Sequence, residues 1–171
     1  MANPIITIIL NDGREIKAEL YPEIAPITVG NFLQLVDEHY FDGVIFHRVI
    51  DRFMIQTGGY YIEENTLKEK VGAKTITGEF TSNGFENNLK HKIGVLSMAR
   101  TNDPNSASSQ FFICSASCAH LDGAYAGFGK VVDEISLANV LDISHVETAN
   151  IGYGFADFPV DPIVIKTVIR G

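Results

Sequence analysis

The sequence predicts a mainly β domain, an antiparallel sheet or barrel with helices at its ends, and three observations support that class. Short apolar segments typical of strands are separated by turns that contain Gly, Asn and Asp. Only two segments carry apolar residues at helical spacing, and they lie far apart in the chain. Strands and helices therefore do not alternate regularly, which disfavours a doubly wound parallel sheet.

The chain has the size and composition of one ordinary globular unit. Its 171 residues suit a single hydrophobic core, and 46% hydrophobic with 20% charged residues is typical of globular rather than disordered proteins. No internal repeat, low-complexity tract or linker divides it. We therefore expect residues 1–171 to form a single domain.

The first predicted elements are a β-hairpin and a helix. Ile5–Ile9 and Glu15–Leu20 flank an Asn-Asp-Gly turn, and alternating charged and apolar residues in the second strand predict one wet and one buried face. Pro26 suits the first turn of a helix, and apolar residues follow it at helical spacing. The pattern predicts a helix over roughly residues 26–38.

The central stretch, residues 46–59, contains the most informative side chain of the sequence. It predicts two short strands around a charged turn at Asp51 and Arg52, closed by a Gly pair. Arg48 stands there among apolar neighbours. A guanidinium in an apolar patch is costly unless something uses it, although its stem can also cover the edge of the core while its head reaches water. The residues alone leave both interpretations open.

The second half of the chain adds a long loop, further strands and a second helix. Residues 60–88 are rich in Gly, Asn, Thr and Glu and predict a loop-dominated surface segment. Asp133 suits the cap of a helix that carries Ile135 and Leu141. The remaining predicted elements are strands over 93–99, 109–114, 128–132 and 163–169, a polar loop over 101–107, a turn at 121–123, and a Gly- and aromatic-bearing loop over 152–162.

Charge and cysteine content exclude several classes of partner and cofactor. A formal net charge of −8 without a basic groove argues against nucleic acid or an anionic membrane as a partner. No apolar run approaches a membrane span, and the apolar segment before the first turn lacks the features of a signal peptide. Cys114 and Cys118 have no four-ligand zinc pattern around them. We expect no metal or other cofactor, reduced thiols and a cytoplasmic location.

Four sequence blocks carry a resemblance to a known family. They are Phe46–Gly59, Val95–Arg100, Ser109–Ile113, and Leu121–Gly123 continued through Phe128–Val131. In this order and spacing, over nearly the whole chain, they resemble the cyclophilin family of peptidyl-prolyl cis–trans isomerases. The resemblance implies a closed eight-stranded antiparallel barrel with a helix capping each open end. It also implies an enzyme that accelerates rotation of X-Pro peptide bonds in unfolded or flexible protein segments and so assists folding.

The same resemblance implies roles for individual residues. Arg48 corresponds to the catalytic arginine. The reaction makes and breaks no bond to another atom, so it requires no nucleophile, metal or redox cofactor. Phe53, Met54, Phe112 and Leu121 correspond to the proline pocket, Gln56 and Gln110 to residues that hydrogen-bond the substrate backbone, and Ala99 and Arg100 to the groove for the segment preceding proline. Strand alternation predicts that Gln110 and Phe112 share one face, whereas Phe111 and Ile113 face the core.

Three positions depart from the family pattern. Arg100 stands where the family usually has Asn, His120 where its best-known eukaryotic members often have Trp, and Tyr125 where it has a pocket histidine. Without the Trp, the resemblance implies at most weak cyclosporin binding. By position, His120 and Tyr125 are nevertheless predicted to be substrate-binding residues, and Tyr125 either donates to the substrate or closes the pocket.

Other titratable side chains are expected to have structural roles. We expect His47 to be structural and hydrogen-bonded, and His91, His120 and His145 to have no functional constellation around them. Cys114 shares the predicted face of Phe112 and is expected to be an inert buried thiol.

Two other functions compete with the isomerase on sequence grounds. A binding module or holdase would grip proline-containing partners in the same groove, although it would not need the charge of Arg48. A ligand-carrying barrel is disfavoured because bulky side chains are predicted to fill a barrel of this size. The expected partners are proline-containing peptides and unfolded proteins, and the expected state is a monomer.

Overall fold

The computed structural model describes residues 2–171, which form a β-barrel with two α-helices. The helices are Pro26–Asp37 (α1) and Glu134–Ser144 (α2). The strands are Ile5–Leu10 (β1), Glu15–Leu20 (β2), Val44–Ile50 (β3), Met54–Glu63 (β4), Thr66–Glu69 (β5), Val95–Met98 (β6), Phe111–Cys114 (β7), Gly127–Val131 (β8), Thr148–Ala149 (β9), Phe158–Pro159 (β10) and Ile165–Arg170 (β11).

Eight of the strands form the barrel in the order β11-β1-β2-β8-β6-β7-β4-β3, with every pairing antiparallel. The two end strands approach each other through a bridge between Ile45 and Val164. Beside it, the amide of Phe46 donates to the carbonyl oxygen of Ile163 at 3.0 Å. The barrel is thus nearly closed, and the predicted eight-stranded antiparallel barrel with two helices is confirmed.

Both helices cover the barrel core with apolar side chains. Val29 and Phe32 of α1 and Val140 and Ile143 of α2 belong to the same buried cluster as the inward-facing strand residues. Pro26 occupies the first turn of α1, where its missing N–H costs nothing. The Oδ1 of Asp133 accepts a hydrogen bond from the amide of Ser136 at 2.7 Å, which confirms the predicted cap of α2.

The sheet separates two hydrophobic clusters, one on each of its faces. Phe111 and Ile113 point into the large interior cluster, whereas Phe112 and Cys114 on the same strand belong to a smaller cluster on the outer face. The smaller cluster also contains Met54. The predicted alternation of β7 is therefore confirmed, and the outer face carries an apolar patch of its own.

Two predicted loops contain more structure than the sequence indicated. β4 does not end at the Gly pair but continues to Glu63 and forms a hairpin with β5 inside the predicted 60–88 loop. Glu64 and Asn65, both with positive φ, make its two-residue turn, and sequence reasoning missed it because the pair lacks Gly. In the predicted 152–162 loop, β10 pairs with β9. No helix of the described residues is long and apolar enough to span a membrane.

Candidate active site

A β-bulge in β3 lies directly before Arg48. Phe46 lies opposite Thr57 and Arg48 lies opposite Gln56, so β3 has one extra residue, His47, between these pairs. A bulge of this kind locally breaks strand alternation. Phe46 therefore points into the interior cluster, while His47 and Arg48 both line clefts on the outer face. The exposed guanidinium group of Arg48 stands above the outer apolar cluster.

Nine of the eleven predicted site residues line one small pocket beside Arg48. The pocket has a volume of about 120 Å³. Its lining is Arg48, Phe53, Met54, Gln56, Ala99, Arg100, Phe112, Leu121 and Tyr125. The wall is apolar and aromatic, and its polar groups are the guanidinium groups of Arg48 and Arg100 and the amide of Gln56. Such a site suits a small apolar ring that is attached to a polar backbone group.

Two glutamines connect Arg48 to β7. An Nη1 atom of Arg48 lies 3.4 Å from Oε1 of Gln56, and Nε2 of Gln56 donates to Oε1 of Gln110 at 2.9 Å. The side chain of Gln110 has room to reach Gln56 because position 59 is Gly. A Cβ on Gly59 would lie only 2.6 Å from Nε2 of Gln110. Gln110 itself lines a neighbouring groove rather than the pocket, together with Ala99 and Arg100.

Arg100 packs on Tyr125, another residue that lines the pocket. Its guanidinium carbon lies 4.6 Å from the ring centre of Tyr125 and 4.7 Å from that of Phe80. Two of its nitrogens also donate to the carbonyl oxygen of Ala124, at 2.7 and 3.2 Å. The two departures from the family pattern at these positions are thus in direct contact, which sequence reasoning could not show.

A hydrogen-bonded network behind the pocket corrects one expectation. His91 has a constellation around it: Nδ1 lies 3.0 Å from Oδ1 of Asp122, and Nε2 lies 2.8 Å from Oγ of Ser97. Its ring is stacked with that of Phe112 at 6.2 Å, and Asp122 directly follows Leu121. The expectation was wrong because His91 and Asp122 are 31 positions apart in the sequence, too far for a local pattern to connect them.

Burial and hydrogen bonds determine the protonation states of His91 and Asp122. Burial lowers the pKa of His91, so the imidazole is neutral near pH 7. Burial opposes the charge of Asp122, but hydrogen bonds from His91 outweigh it and lower the pKa of that carboxyl. Nδ1–H of His91 therefore donates to Asp122 and Nε2 accepts from Ser97. Ser97 is fully buried, so this is a support for the pocket wall and not a hydrolytic triad.

His47 differs from its expected state in one respect. It is buried, as a structural histidine should be, but its Nδ1 has no hydrogen-bond partner among the described residues. Its ring instead packs edge-on against Tyr60, with centroids 4.7 Å apart. Burial, assisted by the charge of Arg48, lowers the pKa of His47 to about 4. The expected hydrogen bond was wrong because the bulge surrounds the ring with aromatic side chains.

The remaining predicted residues lie at the edge of the pocket or behind it. His120 is exposed and packs on the outer side of Phe53, with ring centroids 5.5 Å apart, so it does not line the pocket. Cys114 is fully buried, and burial raises the pKa of its thiol, as expected for an inert cysteine. A larger open depression of about 640 Å³ elsewhere on the surface contains none of the predicted site residues.

The protein is thus a nearly closed antiparallel β-barrel whose outer face carries a small apolar pocket with an arginine beside it. Comparison with known proteins identifies the family. The model of the cyclophilin type peptidyl-prolyl cis-trans isomerase family matches residues 5–170. The chain therefore belongs to the cyclophilin-type peptidyl-prolyl cis-trans isomerases, and it is an enzyme of that class.

Individual relatives agree with this assignment. The chain is 39% identical to a peptidyl-prolyl cis-trans isomerase of Acinetobacter baylyi, over 98% of this chain and 86% of that protein. It is 38% identical to peptidyl-prolyl cis-trans isomerase A of Dickeya dadantii, over 94% of this chain and 81% of that protein.

Solved structures show the same fold. A cyclophilin type isomerase of Cryptosporidium parvum covers 99% of this chain and 98% of its own, with a TM-score of 0.79 and 29% identity. The same protein in the presence of the dipeptide Ala-Pro aligns with a TM-score of 0.77 and 30% identity, over 98% of each chain.

Proposed function

We propose that this enzyme binds the proline of an X-Pro bond in the pocket lined by Phe53, Met54, Phe112 and Leu121, and that Arg48 stabilises the twisted amide. The observation that carries the proposal is the guanidinium of Arg48 at the rim of that apolar pocket, next to the amide of Gln56. We also propose that residues 1–171 form a single isomerase domain.

The chemistry requires stabilisation of a rotated amide and no covalent step. Rotation about a peptide C–N bond costs about 18–20 kcal/mol because conjugation is lost. In the rotated state the prolyl nitrogen becomes pyramidal and acquires a lone pair that hardly exists in the planar amide. A guanidinium N–H of Arg48 donates to that lone pair, so the contact strengthens only as the bond rotates. This is preferential binding of the transition state.

The pocket contributes by holding the ring and by excluding water. With the ring fixed, the acyl side rotates about the C–N bond. Water stabilises the polar planar amide, so removing water favours the rotated form. Gln56 orients Arg48 and is itself held by Gln110, whereas Ala99 and Arg100 line the groove for the segment preceding proline. An acceleration of about five decades needs roughly 7 kcal/mol, which one charge-assisted contact plus positioning can supply.

The proposed substrates are proline-containing peptides and the flexible or unfolded segments of proteins. The related Cryptosporidium parvum structure obtained in the presence of Ala-Pro supports this class. We further propose a monomer that assists folding in the cytoplasm, where the two unpaired buried thiols, Cys114 and Cys118, stay reduced. Cyclosporin is expected to bind weakly, since His120 stands where the best-known eukaryotic family members often have the Trp that helps hold the drug.

Catalysed cis–trans exchange of a short X-Pro peptide, measured by NMR, tests the proposal. Wild type should accelerate exchange, and Arg48→Ala should lower the rate at least about a hundredfold, since about 2.7 kcal/mol of transition-state stabilisation is lost. The melting temperature should hardly change, because the guanidinium is exposed and makes one long contact. Binding without acceleration by wild type would instead support a proline-binding module, and a large fall in melting temperature a structural Arg48.

A further inference from the structure

A second cleft adjoins the proline pocket on the other side of Arg48. It has a volume of about 290 Å³ and is larger than the pocket itself. His47, Arg48 and Tyr60 line it from the barrel, and residues 153–157 line it from the loop before β10. Arg48 is the one residue that lines both cavities. A side chain in this cleft would therefore lie beside Arg48, the residue proposed to stabilise the twisted amide.

One wall of the cleft is a cluster of aromatic rings. The ring of Tyr60 meets that of Phe155 edge-on at 5.0 Å and that of His47 at 4.7 Å. Phe155 in turn packs edge-on against Phe158 at 5.9 Å. The loop is tied to β3 beside Arg48, because the amide of Val49 donates to the carbonyl oxygen of Asp157 at 3.0 Å. The wall is thus fixed with respect to the catalytic strand.

The loop also displays an aromatic side chain that the fold does not use. Tyr153 is 99% exposed and has a positive φ of 56°, between Gly152 and Gly154, which also have positive φ. A left-handed conformation is unfavourable for a tyrosine, and such strain is concentrated at functional sites. This backbone conformation leaves the ring of Tyr153 exposed at the edge of the cleft, where it can contact a ligand.

The charges around the cleft favour an uncharged occupant. Arg48 would repel a lysine or arginine side chain, and Asp157 would repel an acidic one. His47 is buried and neutral at physiological pH, so it contributes no charge. A flat ring can stack on the guanidinium of Arg48 and pack against Tyr60, Phe155 and Tyr153.

We propose that this cleft binds an aromatic side chain at the position directly after the proline of the substrate. The groove of Ala99 and Arg100 is assigned to the segment preceding proline and shares no residue with the cleft, so the following segment is the one that reaches it. The inference rests on the proposed function, because it assumes that proline occupies the pocket. It makes the residue after proline a determinant of specificity.

The test compares kcat/KM for three peptides, Ala-Ala-Pro-Phe, Ala-Ala-Pro-Ala and Ala-Ala-Pro-Lys, by NMR exchange. Wild type should prefer the Phe peptide over the Ala peptide by about two- to tenfold, the value of one good aromatic contact, and should not prefer the Lys peptide. Tyr153→Ala should reduce the Phe-to-Ala ratio towards one. Because the Tyr153 side chain is fully exposed, its removal leaves the folded core intact.

Val160→Ala is the matched control, since Val160 is an exposed apolar residue of the same segment that does not line the cleft. It should leave both rates unchanged. Equal acceleration of all three peptides by wild type, or the same Phe-to-Ala ratio in Tyr153→Ala, would overturn the inference and leave the isomerase proposal intact. No acceleration of any peptide would overturn the proposed function itself.

Discussion

The two faces of the sheet differ in how their side chains are held in place. Inside the barrel, Phe111 is fixed by other rings, Phe32, Phe41 and Phe128, with centroids 5.1 to 6.5 Å away. On the outer face, its neighbour Phe112 is stacked with His91, which is hydrogen-bonded on both nitrogens. The interior relies on close apolar packing, and the pocket wall relies on polar groups behind it.

This difference separates stability from activity. An apolar interior contributes free energy in proportion to the area that it buries, and its close packing makes the loss of one ring costly to the fold. A binding pocket needs each ring at a fixed position, and directional hydrogen bonds supply that position. Substitutions in the interior should therefore affect folding, whereas substitutions in the polar support should affect catalysis.

The largest effect is expected from truncating the two neighbouring rings of β7. Phe111→Ala should lower the free energy of unfolding by about 3–5 kcal/mol, because it opens a cavity in the fully buried interior. Phe112→Ala should lower kcat/KM at least about tenfold, as it removes a wall of the proposed proline pocket. Denaturant unfolding and peptide exchange on the folded fraction measure both quantities. Equal loss of kcat/KM in the two variants would refute the division between the faces.

The buried His47, which is outside the network of His91, Asp122 and Ser97, should make the free energy of unfolding depend on pH. Its pKa in the folded protein is about 4, below the reference value of 6.5, so the unfolded chain binds this proton more tightly. The free energy of unfolding should therefore keep its full value above about pH 6.5. It should decrease by about 3 kcal/mol in total as the pH falls towards 4, because the unfolded chain takes up the proton first. His47→Phe should remove most of that fall in urea titrations at several pH values.

The control for this titration is His145→Gln, since His145 lies on the surface beside Asp51. His91 contributes a fall of the same sign in every variant, so the difference between wild type and His47→Phe isolates His47. An unchanged pH dependence in His47→Phe would show that the imidazole is not buried in solution.

A smaller effect is expected where Arg100 supports Tyr125. Arg100→Lys loses the flat stacking surface and the paired contact with Ala124, so KM should rise about two- to fivefold with little change in kcat. A double-mutant cycle with Tyr125→Leu should give a coupling of about 0.5–1 kcal/mol. Arg170→Lys, which alters a surface pair with Asp37, should change neither constant. Additive effects in the cycle would mean that Arg100 does not position Tyr125.

The smallest expected effect is the pH dependence of the catalysed rate. Between about pH 6 and 8 an arginine side chain keeps its charge, and burial lowers the pKa of both His47 and His91, so the rate should be nearly constant. Exchange rates at several pH values in this range provide the measurement. A sigmoid centred near the reference histidine value of about 6.5 would contradict the arginine mechanism.

Sequence patterns predicted the elements that depend on local preferences. The first hairpin, α1 and the cap at Asp133 follow from turn residues, helical spacing and capping, and the alternation in β7 correctly separated Phe111 from Phe112. The resemblance to a family brought together residues such as Arg48 and Leu121, which no local pattern connects.

Sequence patterns failed where distant residues or irregular backbone decide the outcome. The bulge at His47 adds one residue to β3 without a Gly or Pro to mark it. The contact between His91 and Asp122 and the stacking of Arg100 on Tyr125 depend on the closed barrel, so neither spacing nor composition indicates them.

The extra residue in β3 also determines which changes in length this strand can tolerate. A deletion within a paired strand normally turns all the following side chains to the opposite face. Removal of His47 is the exception, because Phe46 would still lie opposite Thr57 and Arg48 opposite Gln56. A chain without His47 should therefore keep Arg48 opposite Gln56 and lose only part of the aromatic wall of the second cleft.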